Sequence, residues 1–261
     1  MNQTPCLEVR HISKTFRDDG HSVRALDDIS FAALPGEFIT VIGPSGSGKS
    51  TLFNLITGLA QPDSGEILFD GGPVRQRAGR VGYMPQRDLL LPWRTVLNNV
   101  ILGPELDGRS KRQARHAARE MMPLFGLAGF EQAYPDTLSG GMRQRAALLR
   151  TFLTDRAVLL LDEPFGALDA LTRRELQRWL LDVWEHFRKT ILFITHDVEE
   201  AIFLADRVLV FSARPGRIVK ELRVDLPRPR GALSLLSDDL RRLEAELLAA
   251  LEAGNGTAGQ Q

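Results

Sequence analysis

The chain predicts an α/β fold: a phosphate-binding core with a parallel sheet, an antiparallel β layer at its start, and a helical subdomain inserted in the middle. Three observations carry this. The apolar run Phe38 to Ile42 feeds a glycine-rich segment, Gly43-Pro44-Ser45-Gly46-Ser47-Gly48-Lys49-Ser50, and a helical pattern follows from near Gly48 to Leu59. Val158 to Leu161, Ile191 to Ile194 and Val208 to Phe211 are short apolar runs, with a helical pattern around Leu171 to Phe187 among them, the alternation of a parallel α/β sheet. Between these halves, the stretch from Leu89 to Arg150 reads as helical, with Pro104 and the region Gly126 to Gly129 as breaks.

Taken in order, the elements support that outline. Leu7 and Val9, and later Ile29 and Phe31, lie in short alternating segments, and Glu66 to Phe69 runs into the turn Asp70-Gly71-Gly72 before Val74. These segments are the antiparallel layer. At the other end, Leu236, Leu240, Leu243, Leu247 and Leu251 recur at helical spacing behind Ser237-Asp238-Asp239, which predicts one amphipathic helix. That helix either packs on the main domain or serves dimerisation or regulation, and the segment is too short for a further regulatory domain. Gly254 to Gln261 is expected to be disordered. No internal repeat is visible.

Composition narrows the function classes. With 261 residues, 43% apolar and 25% charged, the chain can bury one large core or two smaller ones. Lys plus Arg and Asp plus Glu both number 33, so no overall basic field favours nucleic acid, which is not an expected partner. A single Cys6 rules out an internal disulfide and a cysteine-rich zinc cluster. Met1-Asn2-Gln3-Thr4-Pro5 lacks the charged-then-apolar pattern of a signal peptide, and the apolar runs are far below the roughly 18 residues of a membrane helix. If a membrane matters, a partner spans it.

The glycine-rich segment matches the P-loop pattern for a nucleoside triphosphate. Gly43, Gly46 and Gly48 permit backbone shapes and close approaches that a Cβ would hinder, so main-chain N–H groups can face phosphate oxygens together with Pro44, Ser45 and Ser47 of the loop. Lys49 adds a mobile charge for the β- and γ-phosphates, the Ser50 hydroxyl is placed to ligate Mg²⁺, and Thr51 is a candidate for the α-phosphate. A glycine-rich turn with a solvated lysine is the plainer alternative, and the preceding strand and following helix weigh against it. An apolar strand ending in Asp162 puts a carboxylate at its tip, positioned to hold Mg²⁺ directly or through water. Ser139 can cap the helix that follows it, and Gly140 and Gly141 expose N–H groups, as an anion-binding turn or an ordinary N-cap would.

Residues 138 to 145, Leu-Ser-Gly-Gly-Met-Arg-Gln-Arg, lying between the P-loop and Asp162-Glu163, resemble the signature of the ATP-binding cassette (ABC) family. The resemblance implies a P-loop NTPase, RecA-like core that binds ATP and Mg²⁺ and hydrolyses ATP. It implies that Ser139, Gly140 and Gly141 close on ATP held by another subunit's P-loop, so that one chain carries two half-sites and a second ATP-binding subunit, a homodimer partner, is needed. By the same likeness Glu163 is the catalytic base or water-positioning group, and Gln86 contacts Mg²⁺ and the attacking water. His196 is the switch histidine for the γ-phosphate, Asp169 belongs to the loop by which one site senses the other, and Phe16 is the adenine-stacking aromatic. A lone Phe beside strand residues is otherwise a core residue.

Three further stretches, Gln86 to Val96, Asp162 to Asp169 and Ala213-Arg214-Pro215-Gly216, look like importer ATPases of the nitrate, sulfonate, taurine and thiamine-pyrimidine-precursor group. That likeness spans roughly residues 7 to 230. It implies residues 1–230 as the nucleotide-binding domain with the helical subdomain near 89–150, and 231–261 as a helix and tail. The implied partners are transmembrane permease subunits and, indirectly, a substrate-binding protein, with the chain peripheral on the cytoplasmic face of the inner membrane. A soluble ABC ATPase acting on nucleic acid or ribosomes is the alternative, but the tandem cassettes, coiled coils or basic extensions typical of such proteins are missing here. Leu89 to Trp93 either packs the lobe's own core or rims a groove for a permease helix.

Overall fold

The computed structural model describes residues 3–18, 21–74, 76–231 and 237–256. Two sheets form its frame. The first is antiparallel, in the order β2 (His21–Ala33), β1 (Leu7–Asp18), β4 (Ser64–Phe69), β5 (Gly72–Pro73). Alternation places Leu7, Val9, Ile29 and Phe31 inward, so one face of this layer is covered and the other is wet, as antiparallel sheets allow.

The second sheet has the order β10 (Ile218–Arg223), β9 (Arg207–Phe211), β3 (Phe38–Ile42), β8 (Thr190–Thr195), β7 (Val158–Asp162), β6 (Gly82–Met84). All neighbours are parallel except the β9 and β10 pair. Every residue of β3, β7 and β8 is buried, which is why these strands read as continuous apolar runs rather than alternating ones. Helix α1 (Lys49–Thr57) follows β3 directly and ends at Gly58, whose left-handed backbone closes the helix where a longer one to Leu59 is expected from the sequence.

The helical insertion holds α2 (Val96–Val100), α3 (Leu102–Leu106), α4 (Lys111–Met121) and α5 (Gly140–Phe152), linked by turns. Gly126 and Gly129 break it at left-handed positions, but Pro104 does not. Pro104 lies in the first turn of α3, where a missing N–H costs no helical hydrogen bond, and the break comes earlier, at Ile101 between α2 and α3. The insertion shares one core with α6 (Ala170–Phe187) and one face of the parallel sheet, through Leu97, Val100, Phe125, Leu148, Leu180 and Trp184.

A third core joins α7 (Val198–Leu204) to the C-terminal helix α8 (Asp238–Gly256) through Ala201, Ile202, Leu240, Leu243 and Leu247. Leu236 lies outside the described residues. The helix also runs past Gly254 to Gly256, further than the expected onset of disorder, because the Gly254 carbonyl accepts from the Ala213 N–H at 3.2 Å and ties this turn to the main body. Residues 257–261 lie outside the described part. Among the described residues no helix is long and apolar enough to cross a membrane.

Candidate functional site

The loop between β3 and α1 is shaped by contacts that exclude side chains. A Cβ on Gly43 would stand 2.8 Å from the Phe211 Cβ, and one on Gly48, at φ +92, would stand 2.7 Å from the Ala25 carbonyl. Both positions therefore need glycine, Gly43 on steric grounds and Gly48 on steric and conformational ones. The Lys49 ammonium is buried inside the resulting ring and donates to the carbonyls of Gly43 at 2.8 Å and Pro44 at 2.9 Å and to Ser47 Oγ at 3.3 Å. Burial lowers its pKa, and Glu163 and Asp162 pull it back up.

Asp162 is the last residue of β7 and is almost wholly buried, facing the start of α1. Burial raises its pKa, while the side-chain hydrogen bond with Ser50 opposes the rise. Tyr83 on the neighbouring strand is pushed up to about 12, by burial first and then by the charge of Asp162. One residue on, Glu163 adopts φ 45, a left-handed conformation unusual for glutamate, held by its N–H donating to the Ile194 carbonyl at 3.0 Å. That kink turns the carboxylate out of the sheet. Glu163 Oε2 then meets Gln86 Nε2 at 3.4 Å and His196 Nδ1 at 3.2 Å.

Three residues from the ends of three parallel strands thus converge: Gln86 beyond β6, Glu163 beyond β7 and His196 beyond β8. They stand at the carboxyl ends of the strands, where open α/β sheets bind ligands. Gln86 and Glu163 line a cleft of about 400 Å³ with Ser45, Gly46, Ser47, Gly48, Lys49, Ser50 and Thr51. Phe16 lines the same cleft with Val23 and Ala25, and it belongs to none of the apolar cores: the residue is 47% exposed, with the Lys14 ammonium 5.6 Å from the ring centre.

Ser139, Gly140 and Gly141 are elsewhere. Ser139 caps α5, its Oγ accepting from the Met142 N–H at 3.2 Å, and it opens on a separate cavity of about 260 Å³ that Gly141, Arg145 and Thr172 also line. Asp169 caps α6 by accepting from the Thr172 N–H at 3.0 Å, which joins it to this second cluster. A Cβ on Gly141 would lie 3.2 Å from the Thr172 methyl, so the two helix starts are packed close together. The predicted residues therefore fall into two groups on one chain, and neither group holds all the parts.

Sequence reasoning missed three contributors to this region. Arg214 lines the cleft and reaches the P-loop, yet its segment is noted above only for its likeness to importer ATPases. Glu200 and Gln177 are buried and hydrogen-bond to each other at 2.9 Å, and Glu200 also accepts from the hydroxyl of Thr195, the residue before His196. Their only signal in the sequence is polar residues on the apolar faces of two helices.

A buried ammonium in a ring of carbonyls, a hydroxyl paired with a carboxylate and a strained glutamate at the rim fit a magnesium nucleoside triphosphate, and the fold around them is that of an ATP-binding cassette. The ABC transporter family model matches residues 26–166, and the chain belongs to this family of ATPases. Within it the chain is related to the importer ATPases of the nitrate, sulfonate, taurine and thiamine-precursor group. It is 44% identical over 228 residues to the formylaminopyrimidine import ATP-binding protein ThiZ of Halalkalibacterium halodurans, covering 87% of this chain and 89% of that protein. To the aliphatic sulfonates import ATP-binding protein SsuB of Bacillus cereus it is 42% identical over 248 residues, covering 95% and 96%. A dimeric ATP-binding cassette solved in a post-hydrolysis state with ADP and Pi superposes with a TM-score of 0.73 at 29% identity, covering 86% of this chain and 99% of that one.

Proposed function

We propose that the protein powers uptake of a small solute, of the nitrate, sulfonate, taurine or pyrimidine-precursor type, as the ATP-hydrolysing subunit beneath a separate membrane permease. The solute class rests on relatives that import aliphatic sulfonates and formylaminopyrimidine. In this reading residues 1–230 are the nucleotide-binding domain, with the helical subdomain near 89–150, and 231–261 are an appended helix and tail. The protein works at the cytoplasmic face of the membrane through its permease, and a substrate-binding protein delivers the solute.

One observation carries the catalytic part: Gln86 and His196 both meet the Glu163 carboxylate at the mouth of the P-loop cleft. Lys49 and the loop N–H groups hold the phosphates, and Ser50, Asp162 and Gln86 would hold Mg²⁺. When bound, that ion offsets charge on the transferring phosphate oxygens. Glu163 orients the attacking water and accepts its proton, and His196, tied to Glu163, turns toward the γ-phosphate. Phe16 stacks on the adenine. Ser139, Gly140 and Gly141, with Asp169 beside them, complete the site of the second subunit, so that hydrolysis waits on dimer closure and the shape change reaches the permease.

Replacing Glu163 with Gln tests this. The variant should keep MgATP binding, elute as an ATP-trapped dimer on sizing chromatography, and lose at least about a hundredfold in phosphate release. Turnover at the wild-type rate would remove Glu163 from catalysis. For the solute, the ligand bound by the substrate-binding protein that works with this subunit is the deciding measurement, and a ligand that is neither a small anion nor a pyrimidine precursor would overturn the class.

A further inference from the structure

The segment Ala213-Arg214-Pro215-Gly216 follows β9, and its Gly216 end is fixed to β2 and packed on the P-loop. The Gly216 N–H donates to the Ala25 carbonyl at 3.0 Å, and the Gly216 carbonyl accepts from the Asp27 N–H at 2.9 Å. A Cβ on Gly216 would stand 2.0 Å from the Ser47 carbonyl oxygen, so the two loops touch backbone to backbone. On the other side, Ser212 Oγ accepts from the Arg217 N–H at 3.0 Å and donates to the Pro215 carbonyl at 3.0 Å. Little freedom is left to the residue between.

That residue is Arg214. Its Nε donates to the Gly46 carbonyl at 3.2 Å, and its Nη2 lies 3.1 Å from where a Cβ on Gly46 would be. The side chain is exposed and lines the same cleft as Lys49 and Phe16. Among the described residues the Gly46 carbonyl is its one hydrogen-bond acceptor. A tie to the P-loop needs Nε alone. The remaining N–H groups face a cleft whose other cation, Lys49, is buried, and a planar guanidinium is suited to grip phosphate oxygens in pairs.

We propose that Arg214 is a second cationic nucleotide-binding residue, anchored on the P-loop through Gly46 and presenting its guanidinium to a phosphate of the bound nucleotide. The inference rests on the assignment of this cleft to a nucleoside triphosphate. It adds a residue outside the P-loop whose charge sets nucleotide affinity, contributed by a loop 168 positions away from Gly46 in the chain.

Equilibrium binding of ATP, ADP and adenosine by the full-length protein, with Arg214→Ala, Arg214→Lys and Lys49→Ala compared, tests it. Arg214→Ala should weaken ATP and ADP about tenfold, leave adenosine unchanged and flatten the dependence of ATP binding on salt. Its melting temperature should stay within about 2 °C of the parent, and Arg214→Lys should fall between the two proteins. Unchanged ATP affinity in Arg214→Ala, with Lys49→Ala impaired, would remove Arg214 alone from the site. Equal weakening of adenosine and ATP, with a lower melting temperature, would make Arg214 a structural tie only. Normal ATP binding by Lys49→Ala would take the nucleotide out of this cleft, and the proposal with it.

Discussion

At the scale of single residues, the turn that carries His196 is held by a closed ring of side chains. The Thr195 hydroxyl donates to the Glu200 carboxylate and accepts from the Asp197 N–H at 3.0 Å, while Asp197 Oδ1 accepts from the Glu200 N–H at 2.9 Å. Gln177 Nε2 donates to the other Glu200 oxygen. Burial raises the Glu200 pKa above its ordinary 4.5, the bonds from Thr195 and Gln177 oppose the rise, and among charged neighbours Asp197 adds to it and Arg173 reduces it. For a carboxyl whose folded pKa is raised, the stabilising contribution is fully present below the unfolded value and is lost as pH climbs through the folded one. As pH rises above the ordinary value of 4.5 the parent should therefore lose unfolding free energy relative to Glu200→Gln, as read from denaturant titrations at several pH values. Parallel curves for the two proteins would show that Glu200 carries no such linkage.

At the scale of elements, the stretch from Gln86 to Val96 splits its apolar residues between two fates. Leu90 is 8% exposed and sits in the core of the helical insertion, whereas Trp93 is 72% exposed and Leu89 is turned outward at φ 48. Arg150 of α5 donates to the carbonyls of Asp88 and Leu89, and Asn99 of α2 is bonded to Leu91 in both directions, so the stretch is strapped to two helices. Trp93→Glu should leave the melting temperature and the basal ATPase of the subunit near the parent's but weaken its co-purification with the permease. Leu90→Glu buries an unpaired charge and should cost about 3 kcal/mol of stability by thermal denaturation. Normal assembly and transport by Trp93→Glu would return this side chain to a merely exposed one. Five consecutive residues from Leu89 to Trp93 gave no period from which to sort the buried from the exposed, because the sorting is done by a left-handed Leu89 and by straps from distant helices. The P-loop was legible for the opposite reason: its glycines, its strand and its helix are all local. Asp162 was equally plain as the tip of an apolar strand, but the strain at Glu163 and the reach of Arg214 depend on Ile194 and Gly46, which local spacing does not reveal.

At the scale of the whole molecule, the proposed sharing of each site between two subunits would set a rule of assembly. Ser139 and Gly141 open on one cavity and Lys49 and Glu163 on another, so a two-fold pair of subunits facing each other head to tail would build two composite sites from four halves. Ser139→Arg should then bind ATP as an isolated subunit about as well as the parent, because its P-loop is untouched, yet fail to hydrolyse it, because the new side chain fills the turn meant for another subunit's phosphate. Lys49→Ala should fail for the complementary reason. When the two inactive variants are mixed in equal amounts, about half of the dimers are mixed, and each mixed dimer has one site with an intact P-loop facing an intact Ser139 turn. Phosphate release should therefore recover to at most about a quarter of the parent's, if the single good site works alone. Recovery in the mixture cannot arise if each chain hydrolyses ATP by itself. Loss of ATP binding by Ser139→Arg monomers, or hydrolysis by that variant at the parent rate, would place Ser139 outside any shared site and undo the assembly rule.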